Sequence, residues 1–236
     1  MTRAAAIPPI ELLEQGEITV KGRLPWASNA TFLVEVTRGR STALGVYKPQ
    51  RGERPLWDFP RGLYRREVAA YLLSETLGWG LVPPTLERDG PYGQGSIQLF
   101  VDADFEEHYF TLRERPEHRP ALARLCAFDL VANNADRKSG HCLLGRDGHL
   151  YAIDNGLCFH AESKLRTVVW DLAGEPIPAE IRTAARRLVA QSLPEGLARL
   201  LGPDERAALL ARARALGAAE QFPEDATGMR YPWPLV

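Results

Sequence analysis

Residues Phe128–Leu144 read FDLVANNADRKSGHCLL, and after a short turn Leu150–Phe159 read LYAIDNGLCF. Asp136 stands in a polar loop just after an apolar helical run. Asp154 stands just past a pair of short apolar stretches that the turn GRDG would join as a hairpin. His141, a side chain able to ligate a metal, falls between them, five residues after Asp136. Phosphoryl transfer asks for such a set: one carboxylate to orient an attacking hydroxyl, and another to hold a divalent metal against nucleotide phosphates. On that reading Asp136 takes the first task, and Asp154 with His141 the second.

Working outward, Pro120–Asn133 has helical spacing, with Leu122, Leu125, Cys126, Phe128 and Val131 on its apolar side. Asp129 projects from this helix toward the loop and is expected to hold it by hydrogen bonds; Asn133 and Asn134 end the helix. Farther upstream the chain reads as strands with one helix. Glu17–Lys21, Thr31–Thr37 and Thr42–Lys48 are strand-like, the last stopping at Pro49, which cannot donate to a ladder. Leu63–Leu77 carries helical periodicity and stops at Gly78. Thr85–Glu87 and Ser96–Val101 read as two more strands around the polar turn RDGPYGQG. Downstream, Pro178–Leu216 has helical spacing broken near Pro194 and at Gly202-Pro203, and the chain from Gln221 is irregular. Nothing alternates as strand–helix–strand, so a doubly wound sheet is not expected.

The two quoted segments resemble the catalytic and metal-binding segments of the phosphatidylinositol 3- and 4-kinase family. The pattern is nearest to the type II 4-kinase branch (NTDRG-x-x-N-W and AIDNGLAF), and the bacterial HipA-type kinases share the Asn-x-Asp loop. The resemblance implies an α+β, two-lobed protein-kinase-like fold. Its N-terminal lobe, residues 1–101, would hold an antiparallel sheet with one helix and bind nucleotide. Its C-terminal lobe, residues 102–236, would be mostly helical, with the catalytic loop and hairpin. It also implies ATP with Mg2+ or Mn2+ as cofactors and transfer of the γ-phosphate to a hydroxyl acceptor. The family's catalytic aspartate falls on Asp136, its first metal aspartate on Asp154, and its second metal ligand on His141. The family has asparagine at that last position. Imidazole is a softer donor, better suited to Mn2+ or Zn2+ than to Mg2+. Lys138 stands where many protein kinases place a lysine near the transferred phosphate.

The upstream segments fit the same scheme. A kinase needs a lysine on its third strand, paired to a helix glutamate, to neutralise nucleotide phosphates. Lys48 ends the third expected strand. Glu67 lies on a helical stripe with Leu63, Ala70, Ser74 and Leu77, and a carboxylate in an uncharged stripe needs a partner. Ser28, Asn29 and Thr31, in the loop PWASNAT, are candidates to meet phosphate oxygens through hydroxyl, amide and backbone donors. Gln98, Phe100 and Val101, at the end of the fifth expected strand, fall where adenine would meet the backbone.

The 236 residues carry a net charge of −1, which gives no general affinity for nucleic acid or an anionic membrane. No apolar run approaches the ~20 residues a transmembrane helix needs, and the first seventeen residues do not make a signal peptide. Three cysteines without CxxC spacing fit a reducing compartment, so a cytoplasmic location is expected. His141, Cys142, Cys158 and His160 could be read as a zinc cluster, but the short-spaced ligand pairs of structural zinc are missing. Arg61, Arg65 and Arg66 read as a solvated helix face, while Lys164 and Arg166 are candidates to touch the acceptor. The leading expectation is a kinase-like phosphotransferase acting on a protein or small-molecule hydroxyl, with a lipid less favoured. The alternatives are a nucleotide-binding pseudokinase with a regulatory role, and a nucleotidyl transferase on the same fold.

Overall fold

Val34 and Val36 on one strand and Tyr47 on the next are fully buried, whereas Leu33, Glu35 and Val46 beside them are not. That alternation makes a sheet with one face on the core. The computed structural model describes residues 7–25 and 27–236, which form two units. One runs through Val68 and takes in Pro83–Phe100; the other comprises Ala69–Val82 and Val101–Val236.

In the first unit a short helix α1 (Pro9–Gln15) precedes β1 (Glu17–Arg23), β2 (Phe32–Arg38) and β3 (Ser41–Pro49). Helix α2 (Leu63–Leu77) starts in this unit and is followed by β4 (Thr85–Gly90) and β5 (Gly93–Leu99). The five strands are antiparallel in the order β1-β2-β3-β5-β4. Leu12 and Leu13 of α1 pack with Val34, Val36, Tyr47 and Ile97 of the sheet. Helix α1 is too short to stand alone in water. Its last carbonyls are held by Arg88 of β4, which donates to Leu13 O and Gly16 O. The sequence pattern did not announce it, because this support comes from a residue more than seventy positions away.

Several strand ends differ from expectation: β1 runs on to Arg23, and β3 takes in Pro49, paired with Gly95. The turn between β4 and β5 contracts to Pro91-Tyr92, with Gly90 paired to Gly93 at positive φ, the conformation a tight hairpin turn requires. Strand β5 stops at Leu99, so Phe100 and Val101 lie beyond it.

The second unit holds the rest of α2, then α3 (Tyr109–Leu112) and α4 (Arg119–Ala132). A two-stranded hairpin follows, β6 (Cys142–Leu144) with β7 (Leu150–Ala152), and then α5 (Ala179–Ala190), α6 (Glu195–Ala198) and α7 (Pro203–Ala218). Leu122, Leu125, Cys126, Phe128 and Val131 of α4 are all buried. Helices α5 and α7 pack together; Arg186 Nε donates to Gly217 O at 2.7 Å. Among the described residues no helix is long and apolar enough to cross a membrane.

Candidate active site

Helix α4 ends because Asn133 turns left-handed, at φ 55°. The asparagine side chain then ties down the later loop. Its Nδ2 donates to His160 O and Glu162 O at 2.9 and 2.7 Å, and its Oδ1 accepts Lys164 N–H at 2.9 Å. Asn134 does the same for the earlier loop, with Oδ1 accepting Asp136 N–H at 2.9 Å.

Arg137 forms a bridge to Thr167 and Lys138 is extended, and burial alternates from Ala135 to Ser139. Ala135, Arg137 and Ser139 are buried; Asp136 and Lys138 are only partly so. The period of two puts Asp136 and Lys138 on one side and Arg137 on the other. Lys138 Nζ lies 3.0 Å from Asp136 Oδ2. Burial pushes the Asp136 carboxyl above its ordinary range, Lys138 pulls it back, and Asp154 adds to the rise.

Arg137 was not among the residues expected to matter, and it is fully buried. Its Nε reaches Asp129 Oδ1 and Oδ2 at 3.1 and 3.2 Å, Nη1 donates to Ile153 O at 2.7 Å, and Nη2 donates to Asn155 Oδ1 at 2.6 Å. The guanidinium therefore grips both neighbours of Asp154 while Asp136 precedes it in the chain. Asp129, also fully buried, accepts further bonds from Asn134 Nδ2 (3.1 Å) and Thr167 Oγ1 (2.9 Å). Burial raises its carboxyl, and Arg137, Thr167 and Asn134 oppose that rise. Every neighbour donates, as an ionised carboxylate requires. Arg137 is held charged by Asp129 against the cost of burial. The one signal available in the sequence is position: Arg137 sits next to Asp136, and alternation points it inward.

His141 belongs to a 3-10 turn, Ser139–His141, and not to the hairpin. Its Nδ1 lies 3.1 Å from Asp136 O and 3.4 Å from Lys138 N. With the proton on Nδ1 the carbonyl accepts it, and the Nε2 lone pair is turned to Asp154, whose Oδ2 is 3.4 Å away. Asp154 has φ 56°, a left-handed conformation that aspartate tolerates better than most residues, and its side chain is about half exposed. Adjacent ligands of an octahedral ion with bonds of about 2.1 Å stand about 3 Å apart. Asp154 Oδ2 and His141 Nε2 are thus near enough to be candidates for two positions of one divalent ion, with Asp136 O beside the other ring nitrogen.

The zinc reading finds no support. Among the described residues no three His, Cys, Asp or Glu side chains are placed to hold an ion. Cys142 and Cys158 are buried, and burial pushes the Cys142 thiol up to about 12, away from the thiolate that zinc binds. Arg166 N donates to Asn134 O at 2.8 Å, and its side chain is exposed. The irregular segment after Gln221 returns to these loops: Leu235 O accepts Ser139 N–H at 2.8 Å, and Arg230 O accepts Thr167 N–H and Trp170 Nε1–H at 3.0 and 3.1 Å.

In the first unit, Lys48 of β3 pairs with Glu67 of α2. The stripe that predicted this is buried along its length, at Leu63, Glu67, Ala70, Ser74 and Leu77. Arg66 corrects the expectation of a solvated face: it is buried, with its guanidinium 5.3 Å from the centre of the Phe59 ring. The loop between β1 and β2 is partly turned inward. Thr31 is 4% exposed, and Asn29 Oδ1 accepts Arg54 N–H at 2.9 Å. Gln98 is likewise engaged in the sheet, its Nε2 donating to Thr85 Oγ1 at 2.8 Å, and Phe100 N–H goes to Leu44 O at 3.0 Å.

This order of elements is that of a protein-kinase-like fold. The Golgi casein kinase, solved with Mn/ADP bound, matches with a TM-score of 0.53 at 13% identity, over 96% of this chain and 79% of that one. Hydra Fam20, solved with sugar, matches with a TM-score of 0.55 at 16% identity, over 86% and 84%. Likeness at that identity establishes the fold. The family follows from sequence. The model of the phosphatidylinositol 3- and 4-kinase family matches residues 62–193. Protein Rv2133c of Mycobacterium tuberculosis (strain ATCC 25618 / H37Rv) is 43% identical over 94% of this chain and 94% of its own. The chain belongs to the phosphatidylinositol 3- and 4-kinase family.

Proposed function

We propose that this chain is an ATP- and divalent-metal-dependent phosphotransferase that moves the γ-phosphate to a hydroxyl on a protein or small molecule. The observation that carries this reading is the alternating burial over Ala135–Ser139. It leaves Asp136 and Lys138 on the less buried side, with His141 Nδ1 against Asp136 O and Asp154 beside His141 Nε2. Asp136 accepts the proton of the acceptor hydroxyl as its oxygen bonds to the γ-phosphorus, while the bond from that phosphorus to the bridging oxygen breaks and ADP leaves. Lys138 donates to the oxygens of the transferring group. Lys48, held by Glu67, neutralises phosphate charge, and Ser28, Asn29 and Thr31 form the loop beside the phosphates. Gln98, Phe100 and Val101 border the adenine. Asp154 and His141 hold the metal, which when bound neutralises charge on the nucleotide phosphates. An imidazole ligand favours Mn2+ over Mg2+.

The test is phosphate transfer from ATP by purified protein with MnCl2 or MgCl2, comparing the natural chain with Asp136→Ala. Transfer is expected to fall by at least about a hundredfold, the contribution of a positioned proton acceptor; transfer unchanged in the variant sinks the reading. The residue at position 141 favours one second reading, a nucleotide-binding pseudokinase, because asparagine is the family pattern there. ATP-dependent thermal stabilisation without turnover in either metal would select it.

A further inference from the structure

The loop assigned to the phosphates is closed at its base by Leu24 N–H on Thr31 O at 2.8 Å and is held from outside at two further points. Ala30 N–H donates to Gly52 O at 3.0 Å, and Arg54 N–H donates to Asn29 Oδ1 at 2.9 Å. Both partners lie in the turn that leaves β3 two residues after Lys48; residues Gln50–Gly52 form its 3-10 part, closed by Glu53 N–H on Gln50 O at 3.1 Å. The same turn reaches the start of α2, where the Glu53 carboxylate accepts Gly62 N–H and Tyr64 N–H at 2.8 and 2.9 Å. One turn therefore fastens three things in this unit: the loop at Ser28–Thr31, the strand that carries Lys48, and the helix that carries Glu67.

Gly52 sits at the centre of this clasp. Its backbone is not left-handed, so conformational freedom does not explain the glycine. Close approach does. A Cβ at position 52 would lie 2.6 Å from Ala30 Cβ and 2.9 Å from Ala30 O, inside van der Waals contact. Any side chain there pushes the Ala30 segment away and stretches the Ala30–Gly52 bond.

We infer that the turn Gln50–Arg54 is a positioning device for nucleotide phosphates, with Gly52 as its positioning residue. This rests on the assignment of Lys48 and the Ser28–Thr31 loop to those phosphates. The clasp acts on phosphate contacts alone, so disturbing it should separate ligands that have a diphosphate from those that do not.

Isothermal calorimetry with ADP and with adenosine, each with MnCl2, gives the test. Gly52→Ala is expected to weaken ADP binding about tenfold, the scale of a displaced binding group, and to change adenosine binding by less than about twofold, within the usual scatter of uncoupled sites. Ala30→Gly added to Gly52→Ala removes the nearer clash and should recover part of the ADP loss. Arg54→Pro removes the N–H that Asn29 accepts without altering the loop itself, so it serves if Gly52→Ala does not fold; it too should weaken ADP selectively. Lys48→Ala separates the two levels of the argument. If the natural chain binds no ADP, or Lys48→Ala binds it as well as the natural chain, the assignment of the phosphate site falls and the inference with it. If Lys48→Ala loses ADP while Gly52→Ala and Arg54→Pro keep it, or if they lose adenosine equally, the clasp alone is wrong.

Discussion

Arg137 with Asp129 in one unit and Lys48 with Glu67 in the other are ion pairs beside candidate site residues, and they are built differently. Arg137 and Asp129 are both 0% exposed, and each is surrounded by further protein partners. Lys48 keeps 21% of its side chain exposed, while Glu67 keeps 4%. A charge enclosed by its own protein cannot serve a ligand directly; it can only hold other groups in place. A partly open lysine whose ammonium is held on one side by a buried carboxylate can offer its remaining N–H bonds to an anion. The arginine thus reads as an element that sets the Asp136 and Asp154 loops, and the lysine as one that meets phosphate.

The most forceful way to break this contrast is at Arg137. Arg137→Ala strands Asp129 as a buried charge and frees Ile153 O and Asn155, so stability should fall by about 3–5 kcal/mol in chemical denaturation. Replacing both partners by apolar residues, Asp129→Leu with Arg137→Met, removes the stranded charge and should cost less than Arg137→Ala alone. The double variant should nevertheless lose phosphate transfer, since the guanidinium bonds to Ile153 O and Asn155 Oδ1 are then gone. If it keeps full transfer, Arg137 stabilises the unit without positioning the site.

Lys48→Ala comes next. It leaves Glu67 buried without its ammonium partner, and about 1–3 kcal/mol of stability should be lost. Glu67→Gln in the same chain removes the unpaired charge and should restore part of it. The two readouts should part company here. Thermal stabilisation by ADP should vanish in Lys48→Ala and stay absent in the double variant, even as stability returns. If ADP stabilises Lys48→Ala as it does the natural chain, the open lysine is structural and the contrast with Arg137 collapses.

These two pairs were unequally legible in the sequence, for a physical reason. Glu67 stood out because helical periodicity put a carboxylate among Leu63, Ala70, Ser74 and Leu77, and burial of such a group demands a cation. Arg137 offered no comparable conflict: an arginine in a polar loop reads as solvated. Its burial follows from the parallel bridge between Arg137 and Thr167 and from bonds to Asp129, Ile153 and Asn155, all partners distant in sequence. The strands, α2, α4 and the hairpin could be read from local patterns because each carries apolar residues at the spacing of a regular repeat. Helix α1, the inward turn of Asn29 and the return of Arg230 and Leu235 to the loops depend on tertiary contacts, and no periodicity records those. Arg66 went the wrong way for the same reason, since Phe59 lies on a loop whose path the sequence does not give.

A third pair completes the series and sets its lower end. Arg146 Nε lies 3.1 Å from Asp102 Oδ1, the same separation as Arg137 Nη2 from Asp129 Oδ1, yet the side chains are 72% and 76% exposed. Equal distance with opposite exposure isolates the medium as the variable. In water the Coulomb attraction is weak, and holding two long side chains together costs conformational entropy, so such a pair contributes about 0–1 kcal/mol. Asp102→Asn should therefore leave stability within about 1 kcal/mol of the natural chain, and raising salt should erase what difference there is because exposed charges are screened. The Arg137→Ala loss should persist in high salt, since ions cannot reach a pair that is fully enclosed. If Asp102→Asn were instead to cost as much as Lys48→Ala, exposure would not be what ranks these pairs. The inference from burial to role would then have to be replaced by one from the number of hydrogen bonds each pair makes.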